Sequence, residues 1–188
     1  MSNILFLDFD GPLYPRRLVQ FTRNASDPTV QHFFEYNQKK ESRVKIDYVW
    51  MDDAAVAMLN KLHAEAKGGI EIVVTSSWRL FLDGRLSVEE LFNINGLYVP
   101  LHHDWCVDEQ YQYDWGRPYE IRRWLDAHDD CNYAILDDPE SGYMLDTPTQ
   151  FGLDPWRCVM VDADVGIELK HYDMLHKIFV EKGLDTGS

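Results

Sequence analysis

Asp8 and Asp10 stand one residue apart at the end of the apolar run Ile4–Leu7, in the stretch FLDFDG. In an extended segment, residues two apart project to the same side. Both carboxylates can then face one pocket, and Gly11 lets the chain turn tightly beside it. Carboxylates this close repel each other unless one is protonated or a divalent cation offsets their charge. Mg²⁺ suits such a pair, because it binds through one or two carboxylates, keeps several waters and takes a substrate phosphate. An Asp carboxylate can also attack phosphorus and form an aspartyl-phosphate. The plain alternative is a polar turn, in which Asp and Gly are ordinary residues.

Later apolar runs end in equally reactive chemistry. Ile70–Val74 leads into Thr75, Ser76, Ser77, Trp78 and Arg79. Hydroxyls and free backbone N–H groups at a helix start can hold a phosphate, or simply cap the helix. Tyr133–Leu136 leads into Asp137 and Asp138, which can complete a cation site or form a polar loop. Arg117 opens a helical stretch between them and can neutralise phosphoryl charge. An acid pair, a hydroxyl cluster and a second acid pair after three apolar runs form a joint pattern that three unrelated turns explain poorly.

Elements must hold these groups together. Strands are expected at Asn3–Leu7, Ile70–Val74, Tyr133–Leu136 and Cys158–Val161, all short and nearly continuous in apolar residues. That pattern suits strands buried on both faces of a parallel sheet. Helices are expected at Asp52–Ala66, capped by Asp52 or Asp53 and stopped by Gly68-Gly69, and after a capping box at Ser87–Glu90. Further helices are expected at Tyr119–His128, with Ile121, Trp124 and Leu125 on one face, and at Gly166–Lys182. The alternation predicts a doubly wound α/β fold, whose ligands bind at the carboxyl ends of the strands. Residues 13–51, with a possible helix around Thr29–Asn37, and the aromatic residues 97–116 interrupt it as site-covering segments.

The motifs resemble those of the haloacid dehalogenase-like (HAD) superfamily of aspartate-nucleophile phosphohydrolases. FLDFDGPLYP resembles its motif I, IVVTSSWR its motif II and YAILDD its motif IV. With GRPYEIRRWL and VDADVGIE, they are similar to the small HAD-like domain of RNA-repair polyproteins and related stand-alone proteins. The resemblance runs from residue 3 to about 180. It implies a single HAD-like domain over residues 1–188: a Rossmannoid three-layer α/β/α sandwich with a parallel central sheet. Residues 13–51 would be an insertion or minimal cap after strand 1.

The resemblance also implies roles. Asp8 is the nucleophile and a metal ligand, and Asp10 protonates the leaving oxygen and then activates water. The Asp10 backbone carbonyl is a further metal ligand. Ser76 binds the phosphoryl oxygen, with Thr75 the alternative, and Ser77, Arg79 and Arg117 are substrate contacts. Asp137 and Asp138 hold or support Mg²⁺. Arg117 stands where the family more often has lysine. The expected activity is a Mg²⁺-dependent phosphatase acting on a nucleotide or other small phosphomonoester. A nucleic-acid end-processing phosphatase and a non-catalytic binding module are the alternatives.

Composition narrows the partners. The 188 residues carry a net charge of −14, which disfavours broad nucleic-acid or membrane-surface binding. Residues 16–46 run against that trend, with seven basic and three acidic side chains. Three scattered cysteines and no CxxC pair point to reduced thiols and a cytoplasmic setting, and no run is long enough to span a membrane. His102, His103 and Cys106 invite a zinc reading, but no second ligand cluster has matching spacing, so a cleft-lining loop is expected there. Asp162 and Asp164 read as a turn before the last helix.

Overall fold

The computed structural model describes residues 2–18, 50–80, 82–107, 116–128, 131–139 and 148–181. The expected helix at Thr29–Asn37, most of the segment 13–51, and Tyr111, Tyr113 and Trp115 lie outside them.

Five parallel strands form one sheet: β1 (Ser2–Leu7), β2 (Glu71–Val74), β3 (Leu101–Cys106), β4 (Cys131–Asp137) and β5 (Cys158–Met160), in the order β3-β2-β1-β4-β5. The four α-helices among the described residues are α1 (Asp53–Glu65), α2 (Arg85–Ile94), α3 (Arg117–Ala127) and α4 (Leu169–His176), the last continuing as a π-helical turn through Glu181. Side-chain alternation along the strands divides the interior in two. Leu5, Leu7, Ile72, Val74 and Leu136 pack with α1, α2 and α4 on one face. Ile4, Phe6, Val73 and Ile135 pack with Ile121, Trp124 and Leu125 of α3 on the other, where Phe6 and Trp124 meet edge to face at 5.3 Å. The α/β/α sandwich with a parallel central sheet expected from the sequence is therefore present.

Several local expectations hold. Asp52 caps α1 by accepting from the Ala54 and Ala55 N–H groups at 3.0 and 3.1 Å. Ile167, Tyr172, Leu175, Ile178 and Phe179, in the stretch expected as the last helix, are buried. Others change. The proposed capping box at Ser87 lies inside α2, which starts at Arg85 behind Gly84. The reason is the Arg85 guanidinium: it donates to the Leu101, His102 and His103 carbonyls at 3.0, 2.8 and 3.3 Å, tying the first turn of α2 to β3. The last α-helix starts at Leu169, three residues later than expected, with Glu168 and His171 forming a reciprocal cap.

The expected loop at 97–116 contains edge strand β3. This strand pairs with β2 alone, and its sequence LHHDWC lacks the apolar continuity of the other strands. Its register is irregular: Ile72 pairs with Leu101 and Val74 with Cys106, so β3 carries three residues more than β2 across that interval. No described helix is long and apolar enough to cross a membrane.

Candidate active site

Register alone brings the acidic residues together. Leu7 pairs with Val74 on one side and Leu136 on the other, so Asp8, Thr75 and Asp137 leave the sheet at one level. The Asp8 N–H donates to the Leu136 carbonyl and the Thr75 N–H to the Leu7 carbonyl, both at 3.0 Å. By alternation, the three continue the rows of Phe6, Val73 and Ile135 on the α3 face. The α3 N-terminus delivers Arg117 to the same point. Its Nη1 lies 3.1 Å from Asp8 Oδ2 and within 2.6–2.7 Å of both Asp137 oxygens.

The acids are deeply set. Asp8, Asp137 and Asp138 are buried, and one carboxylate oxygen from each lies within 4.8 Å of the others. Asp8 Oδ1 is buried with no hydrogen-bond partner, a costly state for a carboxylate. Hard oxygen donors converging around an orphaned carboxylate oxygen fit a hard divalent cation such as Mg²⁺. Burial and the nearby Asp8 push the Asp137 carboxyl upward, while Arg117 pulls it down. Burial disfavours the Arg117 cation, but Asp8 and Asp137 together outweigh it and raise its pKa.

Gly11 makes the closeness possible. Its φ is +80°, and a Cβ there would lie 2.8 Å from the Asp138 Cβ. Behind it the chain bonds to the loop after β5, with the Arg16 N–H donating to the Ala163 carbonyl at 2.9 Å. Asp162 stays outside the acid cluster. Its side chain accepts from the Asp164 N–H at 2.8 Å, in the turn expected from the sequence.

Asp10 is not among the three acids that converge within 4.8 Å, yet it feels the charges of Asp8, Asp138 and Arg117. Its Oδ2 accepts from Trp78 Nε1 at 2.9 Å, a contact the sequence did not signal. The residue keeps an open side, yet protein atoms crowded round its carboxyl, followed by the Asp8 charge, raise its pKa from 3.8 to about 6.

The hydroxyl cluster divides. Thr75 Oγ1 is fully buried without a partner, beside Asp8. Ser76 Oγ makes only a long local contact, 3.4 Å from the Trp78 N–H. Ser77 is half-buried and opens the 3-10 turn Ser77–Leu80. Arg79 is placed differently from the expectation of a substrate contact. It is buried, donates to the Thr75 and Ser76 carbonyls at 2.6 and 2.8 Å, and pairs with buried Glu120 at 3.2 Å. A charge after a hydroxyl cluster looks the same in sequence whether it faces a ligand or braces the loop from below.

The family profile described as the HAD domain in Swiss Army Knife RNA repair proteins matches residues 4–172. A search of the curated proteins and one of the solved structures each returned no significant match. The match takes in all five strands except the first two residues of β1, and every residue of the acidic cluster, and the chain belongs to this family of HAD domains.

Proposed function

We propose that this HAD domain is a Mg²⁺-dependent phosphomonoesterase that works through an aspartyl-phosphate on Asp8. The carrying observation is the buried, partnerless Asp8 Oδ1 next to Arg117, Asp137 and Asp138. In this reading, Asp8, Asp137 and Asp138, with the Asp10 carbonyl, hold the cation. Bound Mg²⁺ would offset phosphoryl and carboxylate charge.

The chain's own groups account for the remaining chemistry. The Asp8 carboxylate attacks phosphorus, and the bond to the leaving oxygen breaks. Asp10, carrying its proton up to about pH 6, gives it to that oxygen. The resulting Asp10 carboxylate takes a proton from water. The water oxygen then attacks the phosphorus of the aspartyl-phosphate, which frees phosphate and restores Asp8. Arg117 holds Asp8 and Asp137 in place and balances their charge as phosphate approaches. Thr75, whose buried hydroxyl has no other partner, contacts the phosphoryl oxygen in preference to Ser76.

The test is hydrolysis of an aryl phosphate with Mg²⁺. Wild type turns over, Asp8→Asn abolishes turnover, and Asp10→Asn slows it by roughly 10²–10⁴-fold. Wild-type rates in Asp8→Asn overturn the nucleophile.

The family description favours one second reading, in which the phosphomonoester sits at an RNA end. A panel of mononucleotides, sugar phosphates and 3′- or 5′-phosphorylated oligonucleotides separates the two. Preference for oligonucleotides, weakening steeply with salt, selects the RNA-end reading.

A further inference from the structure

We propose a second metal site, for a borderline transition-metal dication with zinc as first choice, formed by His102, His103 and His128 with Asp104 beside them. His102 and His103 are adjacent in β3, and His128 follows α3, so no sequence spacing announces the group. One ring nitrogen from each histidine lies within 4.8 Å of the others. The site stands apart from the acidic cluster. Arg117 and His128 are separated by the length of α3, roughly 16 Å at 1.5 Å per residue.

The hydrogen bonds around His128 point to a cation. Its Nδ1 lies 2.7 Å from the Trp124 carbonyl, which can only accept, so Nδ1 carries a proton. In the neutral ring, Nε2 then presents a lone pair. It faces Asp104 Oδ2 at 3.2 Å, and two acceptors at that distance need positive charge between them. A proton would serve one such contact, but here His102 and His103 converge on it as well. Zinc binds imidazole nitrogen and carboxylate oxygen at about 2.0–2.2 Å, so neighbouring ligands of a tetrahedral site lie about 3.3 Å apart. The Nε2–Oδ2 separation has that length, although Asp104 itself lies outside the three-histidine group that converges within 4.8 Å.

The surrounding chain supports the same geometry. The three extra residues of β3 fall between Leu101 and Cys106, the stretch that holds both histidines and Asp104. Such bulges re-aim side chains. His128 is oriented by the Trp124 carbonyl and stacks on the Trp124 ring at 3.7 Å, while Trp124 Nε1 donates to the Asp104 carbonyl at 3.1 Å. Ligand histidines donate their second N–H to a backbone carbonyl, as His128 does to Trp124. His102 Nδ1 instead accepts from the Asp104 N–H at 3.1 Å, a contact that a bound ion would have to displace or offset by shifting the ring proton from Nε2. His103 is exposed, which leaves the site open to solvent, and a cavity of about 260 Å³ lies against Asp104 and His128.

Nitrogen-rich donors select zinc, and copper or nickel more tightly still, whereas the all-oxygen acidic cluster suits magnesium. The bound ion would tie the bulged edge strand to the end of α3.

The test uses the full chain, stripped with a chelator and held in excess Mg²⁺ so that the acidic cluster does not take up zinc. Zinc is titrated against a chromophoric competitor, with Co²⁺ as a spectroscopic probe. One equivalent of zinc, intense tetrahedral Co²⁺ bands and a raised melting temperature are expected. His103→Ala, which removes an exposed ring, and His128→Gln should each weaken zinc by more than the roughly 10–100-fold cost of losing an outer partner. Asp137→Asn should leave it unchanged. No bound zinc, equal binding by the histidine variants, or loss of zinc in Asp137→Asn overturns the proposal. None of these readouts depends on phosphatase activity.

Discussion

Single residues in the candidate active site are constrained by backbone geometry as much as by their chemistry. Gly11 combines a left-handed φ with a close approach to Asp138. Gly11→Ala should therefore cost more than the roughly 1–2 kcal/mol of the left-handed conformation alone, because its methyl also displaces Asp138. Urea unfolding measures the first effect, and loss of Mg²⁺-dependent turnover reports the second. Asp10 makes a pH prediction. Its pKa is 3.8 in the unfolded chain and about 6 in the folded one, so the native protein holds the extra proton between those values. Its stabilising contribution is complete below the unfolded pKa and is lost as pH rises through about 6. In metal-free protein, Asp10→Asn should flatten that part of the stability profile, as followed by denaturant midpoints across the window.

At the scale of elements, the turn after β2 is braced from beneath by α3. Arg79 and Glu120 form a buried ion pair, and Arg79 also holds the carbonyls of Thr75 and Ser76. Removing one partner of a buried pair leaves an uncompensated charge. Glu120→Ala should cost about 3–5 kcal/mol in chemical denaturation. Replacing both residues with apolar side chains of similar volume should cost far less. The same helix carries Arg117 at one end and His128 just past the other, so α3 serves both the acidic cluster and the proposed histidine site. Edge strand β3 gave a weak strand signal because His102, His103 and Asp104 interrupt its apolar run, whereas the other edge strand, β5, keeps one. The register of β3 is shifted by three residues against β2, and its Leu101 and His102 carbonyls are met by Arg85 from α2.

Across the whole molecule, buried carboxylates and a net charge of −14 mean that the proposed divalent cation would stabilise the fold. Free Mg²⁺ at a hundred times its dissociation constant should add about 2.7 kcal/mol to unfolding. Thermal melts with and without Mg²⁺ measure this increment, and Asp137→Asn should lose most of it. The order β3-β2-β1-β4-β5 puts β1 at the centre, flanked by β2 and β4. The three motif-bearing strands are therefore neighbours, and their carboxyl ends meet at the crevice where open parallel sheets bind ligands.

The sequence by itself determined the parallel α/β class, four of the five strands, and the acids and hydroxyls at the ends of the three inner ones. Each of these rests on a local pattern: short apolar runs, helical periodicity, and polar residues at the step from strand to turn. Tertiary structure alone decided which polar side chain faces which neighbour. It buried Arg79 against Glu120, separated Thr75 from Ser76, aimed Trp78 at Asp10 and brought His128 to His102 and His103. Apart from the adjacent Thr75 and Ser76, those relations join residues tens of positions apart. They follow from strand register and helix placement, which one residue's neighbours in the chain do not encode.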